Sequence, residues 1–305
     1  MLRFLVRRLI VALLVAMTVM VLAFVLTRLS GDLAISIAGP SATQADVDAV
    51  RKAYGLDRPL VVQFFDWMGQ ALTGHLGESF FFKEPVSQLI GERMSVTLTL
   101  GLTGLVIALA LSIPLGIVAA VNENTALDRV VQLVALLGQA MPSFWLALLL
   151  MIVFGLRLGW LPISGTDSWE SYIMPGVVLA FSAVPALTRL TRAGMIQAIA
   201  ADYIRTARAK GLSRTSILLK HALRNAAIPV VAVAAVQLGF MLGGSIVIEQ
   251  VFALHGVGFL AWESIQKNDF PVVQSVVLVL AVIYVALTML ADILNAVLDP
   301  RLRGA

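Results

Sequence analysis

The sequence predicts an all-α membrane protein with six transmembrane helices. The chain of 305 residues is 59% hydrophobic and only 13% charged, and its mean hydropathy is +0.93. A soluble domain carries about a quarter charged residues. Apolar runs of roughly 20 residues, the length that crosses a hydrocarbon layer about 30 Å thick, recur along the chain. The predicted spans cover residues 9–27, 95–121, 130–154, 173–190, 228–248 and 272–294.

The first apolar run follows a basic start at Arg3, Arg7 and Arg8. It is longer than the apolar core of a signal peptide, and no small-x-small cleavage site follows it. We therefore expect an uncleaved membrane anchor rather than a removed signal peptide.

Basic residues are concentrated on one side of the predicted membrane. Cytoplasmic loops carry an excess of Lys and Arg, and an even number of spans puts both termini on one side. The short loops of the opposite side hold only Arg157 and Lys267. The sequence therefore predicts cytoplasmic termini and a cytoplasmic segment at 191–227. The basic residues on that side are Arg3, Arg7, Arg8, Arg129, Arg189, Arg192, Arg205, Arg208, Lys210, Arg214, Lys220, Arg224, Arg301 and Arg303.

The outer loop at 31–94 is too long for a simple connection. Thr43 and Asp46 have the spacing of a capping box, and Gly55 suits the end of the helix that they begin. A second amphipathic helix is predicted to start at Pro59. These interfacial helices fit a packed cap on the membrane surface or a docking face for an external partner, and the two are compatible.

The predicted division of the chain follows from these segments. The first span with its N-terminal segment covers 1–30, and the outer loop covers 31–94. A transmembrane core of five helices follows at 95–295 and includes the cytoplasmic loop 191–227. A cytoplasmic tail at 296–305 ends the chain.

Several kinds of chemistry are excluded by composition. The chain has no Cys, so it has neither disulfides nor thiolate sites. Its three His are far apart, and neither an HExxH zinc motif nor a phosphate-binding GxxxxGK[ST] loop is present, so we expect no metal site and no nucleotide site in this chain. The net charge of +4 fits cytoplasmic loops better than nucleic-acid binding.

No Asp, Glu, Lys or Arg lies in the middle of a predicted span. Buried ionisable residues are typical of proton relays and ion-coupled transport, so their absence weakens an ion-coupled secondary transporter or an intramembrane protease. The remaining acids lie at span ends or in loops, with no evident partner: Glu249, Glu263, Asp269, Asp292 and Asp299.

Proline and small residues predict helices that bend and pack closely. Pro114, Pro142 and Pro185 lie inside predicted spans, and Ser112 and Gly116 form a small-xxx-small pair. Such residues fit ordinary helix packing, or they line a path that opens and closes. The candidate pathway-lining residues are Gln139, Pro142, Ser143, Gln237, Gly239, Gly243 and Gly244.

The segment 202–229 is unusually basic for this chain. It is predicted to form a helix, a turn at Gly211, a second helix capped by Ser213 and then Pro229 in the first turn of the next span. A loop attracted to anionic lipid headgroups needs only charge. The small residues before Gly211 favour docking of a partner instead. Its basic residues are Arg205, Arg208, Lys210, Arg214, Lys220 and Arg224.

The pattern "DYIRTARAKGL…HALRNAAIP" resembles the cytoplasmic loop motif of binding-protein-dependent ABC importer permeases. More narrowly, the chain resembles the B-type permeases of dipeptide, oligopeptide, nickel and glutathione importers. The resemblance continues in "RKAYGLDRPLVVQF", "GHLGESFFFKEPVSQLIGERMSVTLTL", "MPSFWLALLLMIVFGLRLGWLPISG", "VFALHGVGFLAWESIQKNDFPVVQ" and "ADILNAVLDPRLR". Two departures stand out: Ala201-Asp202-Tyr203 replaces the Glu-Ala-Ala of the broad motif, and His75 stands where an Asp is expected.

The resemblance implies a type I ABC importer permease fold in a bacterial inner membrane, and a transport subunit rather than an enzyme. It implies a second homologous permease, two cytoplasmic ATPase subunits that hold ATP and Mg, and a periplasmic or lipid-anchored binding protein. Di- or oligopeptides are the expected cargo, with nickel complexes, glutathione or another small solute as alternatives. The residues that the resemblance assigns to the coupling helix and its surroundings are Asp202, Arg205, Ala207, Arg208, Lys210, Gly211 and Leu212.

Overall fold

The chain forms an almost wholly helical fold, and the computed structural model describes residues 2–29, 31–39 and 41–298. Most of the predicted tail at 296–305, with Asp299, Arg301 and Arg303, lies outside the described residues. The helices are α1 (Leu2–Leu29), α2 (Leu33–Ala38), α3 (Gln44–Ala53), α4 (Leu60–Leu72), α5 (Val86–Val121), α6 (Ala126–Ala140), α7 (Ser143–Leu150), α8 (Ile173–Ala200), α9 (Asp202–Ala209), α10 (Arg214–Ser216), α11 (Leu223–Val251), α12 (Val257–Gln266) and α13 (Phe270–Leu298).

Among the described residues, five helices are long and apolar enough to cross a membrane, and the number is six if the bent pair α6–α7 counts as one span. The predicted span at 130–154 is bent next to Pro142, where α6 and α7 meet at an angle of 99°. Met141 is extended between them, with ψ at 132°. The ring of Pro142 disfavours a helical residue before it, and Pro142 cannot donate a backbone hydrogen bond.

The other spans are longer than the sequence predicts. α5 begins at Val86, and α8 runs on to Ala200 rather than ending at residue 190. Charged residues in the last turns of α8 end the hydropathy signal, but Met195 and Ala198 remain buried there. Burial of one face, rather than uniform apolarity, sustains this end of the helix.

α8 is the central helix of the bundle, and close approach to α5 depends on small residues. A Cβ at Gly104 would lie 3.0 Å from Leu179 Cβ, and one at Gly116 would lie 2.5 Å from Thr191 Cβ. The small-xxx-small pair that includes Gly116 therefore serves packing within this chain. The core around this seam extends to α11 through Val230 and Ala234.

The outer loop contains the two predicted amphipathic helices. The capping box at the start of α3 is confirmed: the Asp46 backbone N–H and the Thr43 side chain, and the Thr43 backbone N–H and the Asp46 carboxylate, are paired reciprocally. The hydrogen bonds from Thr43 hold the pKa of Asp46 below its usual value. Pro59 is the N-cap of α4 rather than its first residue. α4 packs on the end of α1, where the rings of Phe24 and Phe64 lie 5.4 Å apart.

Candidate functional site

The predicted helix-turn-helix motif is present at the end of α8. The chain becomes extended at Ala201, forms α9, and turns at Gly211. The Gly211 N–H donates to the Arg208 carbonyl at 3.0 Å, and the Leu212 N–H donates to the Ala207 carbonyl at 3.3 Å. Ser213 then caps α10, accepting a hydrogen bond from the Ser216 N–H. The turn is therefore closed by its own backbone hydrogen bonds.

α9 is fixed to the transmembrane helices by its apolar side. Ile204 and Ala207 are buried together with Met195 of α8 and Ala226 of α11. Ala207, one of the candidate coupling residues, therefore has its methyl group in the chain's own core. The small side chain of Ala207 lets α9 lie close against α8 and α11.

The opposite side of α9 is exposed and charged. Asp202, Arg205, Arg208 and Lys210 are exposed, and so is Leu212 beyond the turn. Arg205 and Asp202 form an ion pair at 3.2 Å, but both side chains are more than three quarters exposed. Water and salt screen such a pair, so it contributes little to stability. These side chains are consequently available to a partner.

Gly211 has a backbone requirement and no packing requirement. Its φ is +75°, in the left-handed region that L side chains rarely adopt. A Cβ built on it would meet nothing within 4 Å. The open space next to Gly211 therefore belongs to the outer surface of the motif.

A cleft of about 560 Å³ lies between α9 and the end of α5. Its lining includes Arg208, Leu212 and Arg214 together with Val121 and Ile199. The cleft combines cationic and apolar groups, which suits an acidic protein segment with apolar side chains.

The second helix of the motif differs from the prediction. Pro229 does not begin the next span, because residues Arg214–Val251 form one continuous apolar helix, with Pro229 inside it. A short π-helical stretch, Ile217–Ala222, joins α10 to α11. Asn225 also ties the two arms together, since its side-chain amide donates to the Tyr203 hydroxyl at 2.9 Å. This hydrogen bond therefore links α9 directly to α11.

Three candidate pathway residues lie around the bend between α6 and α7. Gln139, Pro142 and Ser143 are all exposed. They lie on an open surface of this chain. Among the described residues, no other side chain forms a hydrogen bond with theirs.

The candidate glycines of α11 separate into two groups. Gly243 and Gly244 are exposed, and a Cβ on either would meet nothing within 4 Å. Gly239 is corrected as a pathway candidate: it is buried, and a Cβ there would lie 2.7 Å from Tyr284 Cδ2 of α13. Gln237 is half-buried.

Sequence reasoning missed a buried carboxylate at the end of α11. Glu249 is fully buried and accepts hydrogen bonds from the hydroxyls of Thr97 and Ser245 and from the Phe259 N–H, each at 2.8 Å. It therefore joins α5, α11 and α12. The prediction that this acid lacks a partner is wrong.

Other acids also have partners that the sequence did not reveal. Asp269 is fully buried and accepts from the Ser79 hydroxyl and from the Phe80 N–H at 3.1 Å. Asp292 pairs with Arg8 at 3.0 Å, joining α13 to α1. Glu263 lies 3.8 Å from Arg93.

Comparison with known proteins identifies the family. A model described as "Binding-protein-dependent transport system inner membrane component" matches residues 112–304, and the corresponding N-terminal model matches residues 1–101. The chain belongs to this family. It is therefore a permease subunit of an ABC importer, a multi-pass inner-membrane transport component rather than an enzyme. The ion-coupled alternative is accordingly set aside.

The curated relatives are similar over their whole length. The chain is 40% identical over 304 residues to the glutathione transport system permease protein GsiC of Escherichia coli O6:H1, covering 99% of both chains. It is 41% identical over 304 residues to the GsiC protein of Salmonella choleraesuis, again covering 99% of both.

A solved structure shows the same fold. The permease matched in an inward-facing structure of the MetNI methionine ABC transporter has a TM-score of 0.56 at 18% identity, covering 70% of this chain and 97% of that one. The all-α permease fold predicted from the sequence is thus confirmed.

Proposed function

We propose that this permease carries glutathione or a similarly short peptide into the cell. The observation that carries the proposal is the 40% identity over 304 residues to a glutathione permease, with 99% of both chains covered. Glutathione is one of the alternatives that the sequence left open, and it is itself a short peptide. The open face of α11 at Gly243 and Gly244 supports the proposal, because small residues leave room for an extended peptide backbone.

In this proposal the segment 202–212 is the coupling helix with its turn. The apolar side, Ile204 and Ala207, seats α9 on the permease, while Arg205, Arg208 and Leu212 contact an ATPase subunit. The two ATPase subunits would bind ATP together with Mg and close on each other, and rigid-body movement of the docked helices would open and close the pathway. A second, homologous permease completes that pathway, and a binding protein delivers the cargo on the outer side.

The proposed arrangement fixes the orientation of the chain. If α9 meets a cytoplasmic ATPase, the N-terminus is cytoplasmic as well, in agreement with the positive-inside rule. A reporter enzyme that is active only outside the cytoplasm, fused at Thr73 in the outer loop, should be active, whereas one fused at Lys210 should be silent. The reverse pattern would contradict the orientation.

The cargo is tested by uptake of radiolabelled glutathione, a labelled dipeptide and a nickel complex into cells that lack the gene or carry it on a plasmid. We expect gene-dependent glutathione uptake that excess unlabelled glutathione abolishes. Gene-dependent uptake of only the nickel complex would overturn the cargo assignment while leaving the importer family intact.

A further inference from the structure

An ion pair with a buried carboxylate joins the first turn of α6 to α8. The Arg192 guanidinium donates twice to Asp128, from Nε to Oδ1 and from a terminal nitrogen to Oδ2, each at 2.7 Å. The carboxylate also accepts from the Asn124 N–H at 3.0 Å and the Gln132 amide at 2.8 Å. The Asp128 side chain is 3% exposed and that of Arg192 is 21% exposed. A two-point pair of this kind fixes orientation as well as distance.

The ion pair lies between the end of α8 that carries α9 and the helix α6 that leads to the bend. Arg192 lies about two turns before the end of α8, and its neighbours Met195 and Ala198 pack against Ile204 of α9. Asp128 lies in the first turn of α6, whose other end is the bend before Pro142. The pair is therefore the charged contact between the coupling-helix end of α8 and the helix that leads to the bend.

Apolar packing holds the rest of α6 on α8. Its buried side consists of Val131, Ala135 and Gly138, while Leu133 and Leu137 are exposed. Gly138 makes the close approach, because a Cβ there would clash with the Phe181 ring of α8. That contact lies at the end of α6 next to the bend, whereas the ion pair holds the first turn.

We propose that Asp128 and Arg192 are positioning residues that transmit movement of the coupling helix through α6 to the bend at Met141–Pro142. The inference rests on the proposed coupling role of α9. When α8 and α9 move as one body, α6 moves with them because the pair holds its first turn. Without the pair, the ATPases still move α9, but the first turn of α6 no longer follows α8.

Spin labels test this in the complex purified from its native host in mild detergent. The chain has no Cys, so Leu137→Cys on α6 and Ile265→Cys on α12 are the only labelling sites in it. We expect the distance between the labels to change between the nucleotide-free and ATP-trapped states. D128N and R192Q should abolish or broaden that change, and the exchanged pair D128R/R192D should restore it.

Arg189 provides the matched control, because it is exposed and lies one turn from Arg192 on the same helix. R189Q should leave the distance change intact. We also expect D128N to lower glutathione uptake per ATP hydrolysed about tenfold, within the usual range of coupling effects. A purely structural role would lower the amount of complex and leave that ratio unchanged.

The outcomes separate the two proposals. A wild-type complex that does not hydrolyse ATP would overturn the proposed function. An active wild-type complex whose D128N and R192Q variants show the normal distance change would overturn the link alone. If the single variants do not assemble, an exchanged pair that assembles without restoring the change would also overturn it.

Discussion

Gly211 is the residue at which conformation and contact can be separated experimentally. Any L residue there takes on the strain of the left-handed region, which costs about 1–2 kcal/mol. Nothing within 4 Å would obstruct its Cβ. A large side chain would therefore project into the space where we place the ATPase.

We accordingly expect Gly211→Trp to insert and fold as well as Gly211→Ala, since both carry the same backbone strain. Only the Trp variant should lose ATP-dependent uptake. The measurements are the amount of protein in the membrane, the melting temperature in detergent and the uptake of labelled glutathione. Equal uptake by the two variants would contradict a contact between the turn at Gly211 and the ATPase.

Glu249 is the second residue with a specific expectation. Replacing it with Gln puts an amide donor where three groups now donate to a carboxylate. At least one donor then loses its acceptor, at a cost of about 1–3 kcal/mol. We expect Glu249→Gln to lower the melting temperature of the purified chain in detergent.

The matched control is Glu263→Gln, because Glu263 is partly exposed and lies 3.8 Å from Arg93. A loosely paired surface carboxylate contributes roughly 0–1 kcal/mol, so this variant should melt close to the wild type. Equal melting temperatures for Glu249→Gln and the wild type would show that the buried network is not a stabilising junction.

At the scale of elements, two glycines on α11 distinguish packing within the chain from the open face. Gly239 lies against Tyr284 of α13, whereas the Cβ position at Gly243 is open. Gly239→Val should separate α11 from α13 and destabilise the chain by about 1–3 kcal/mol, as overpacking usually does.

Gly243→Val adds the same atoms one turn away and should leave the melting temperature unchanged while reducing uptake. Thermal melting and uptake of both variants, measured side by side, check this contrast. Loss of stability in Gly243→Val without any loss of uptake would place that residue in the core instead of the pathway.

Local signals predicted the elements well, and long-range contacts limited the prediction. The capping box of α3 and the turn at Gly211 depend on residues within one helical turn, so the sequence displays them directly. The partners of Glu249 and Asp128 on other helices lie 152 and 64 positions away in the chain, at Thr97 and Arg192. Spacing rules do not cover such distances.

The angle between α6 and α7 could not be predicted for a related reason, although Pro142 indicates a bend in that span. Hydropathy is an average over a window of residues, so it carries no information about the direction in which a helix runs. A proline such as Pro142 indicates a bend but does not fix the angle between the two helices. The burial of Gly239 and Ala207 likewise depends on which neighbour faces each residue. The sequence therefore predicted candidate residues for the pathway and the coupling segment, while the structure determined which side of a helix each one occupies.

At the scale of the whole molecule, the fold places one charged, exposed motif at the end of the two most connected helices. α8 packs on α5, α6 and α11, and a π-helical stretch makes α10 and α11 one continuous helix. A force applied at α9 therefore reaches most of the bundle through packed side chains. This architecture is what a permease driven from outside its own chain requires.

The most direct test of the account is a cross-link from the coupling segment to an ATPase. The chain has no Cys, so Leu212→Cys, at a position 40% exposed, can be labelled alone with a photoactivatable cross-linker in native membranes. Val61→Cys, on the outer helix α4 and 67% exposed, is the control. The account predicts that only Leu212→Cys captures an ATP-binding subunit, identified by mass spectrometry. Capture of that subunit from Val61→Cys, or of lipid alone from Leu212→Cys in an actively transporting membrane, would contradict it.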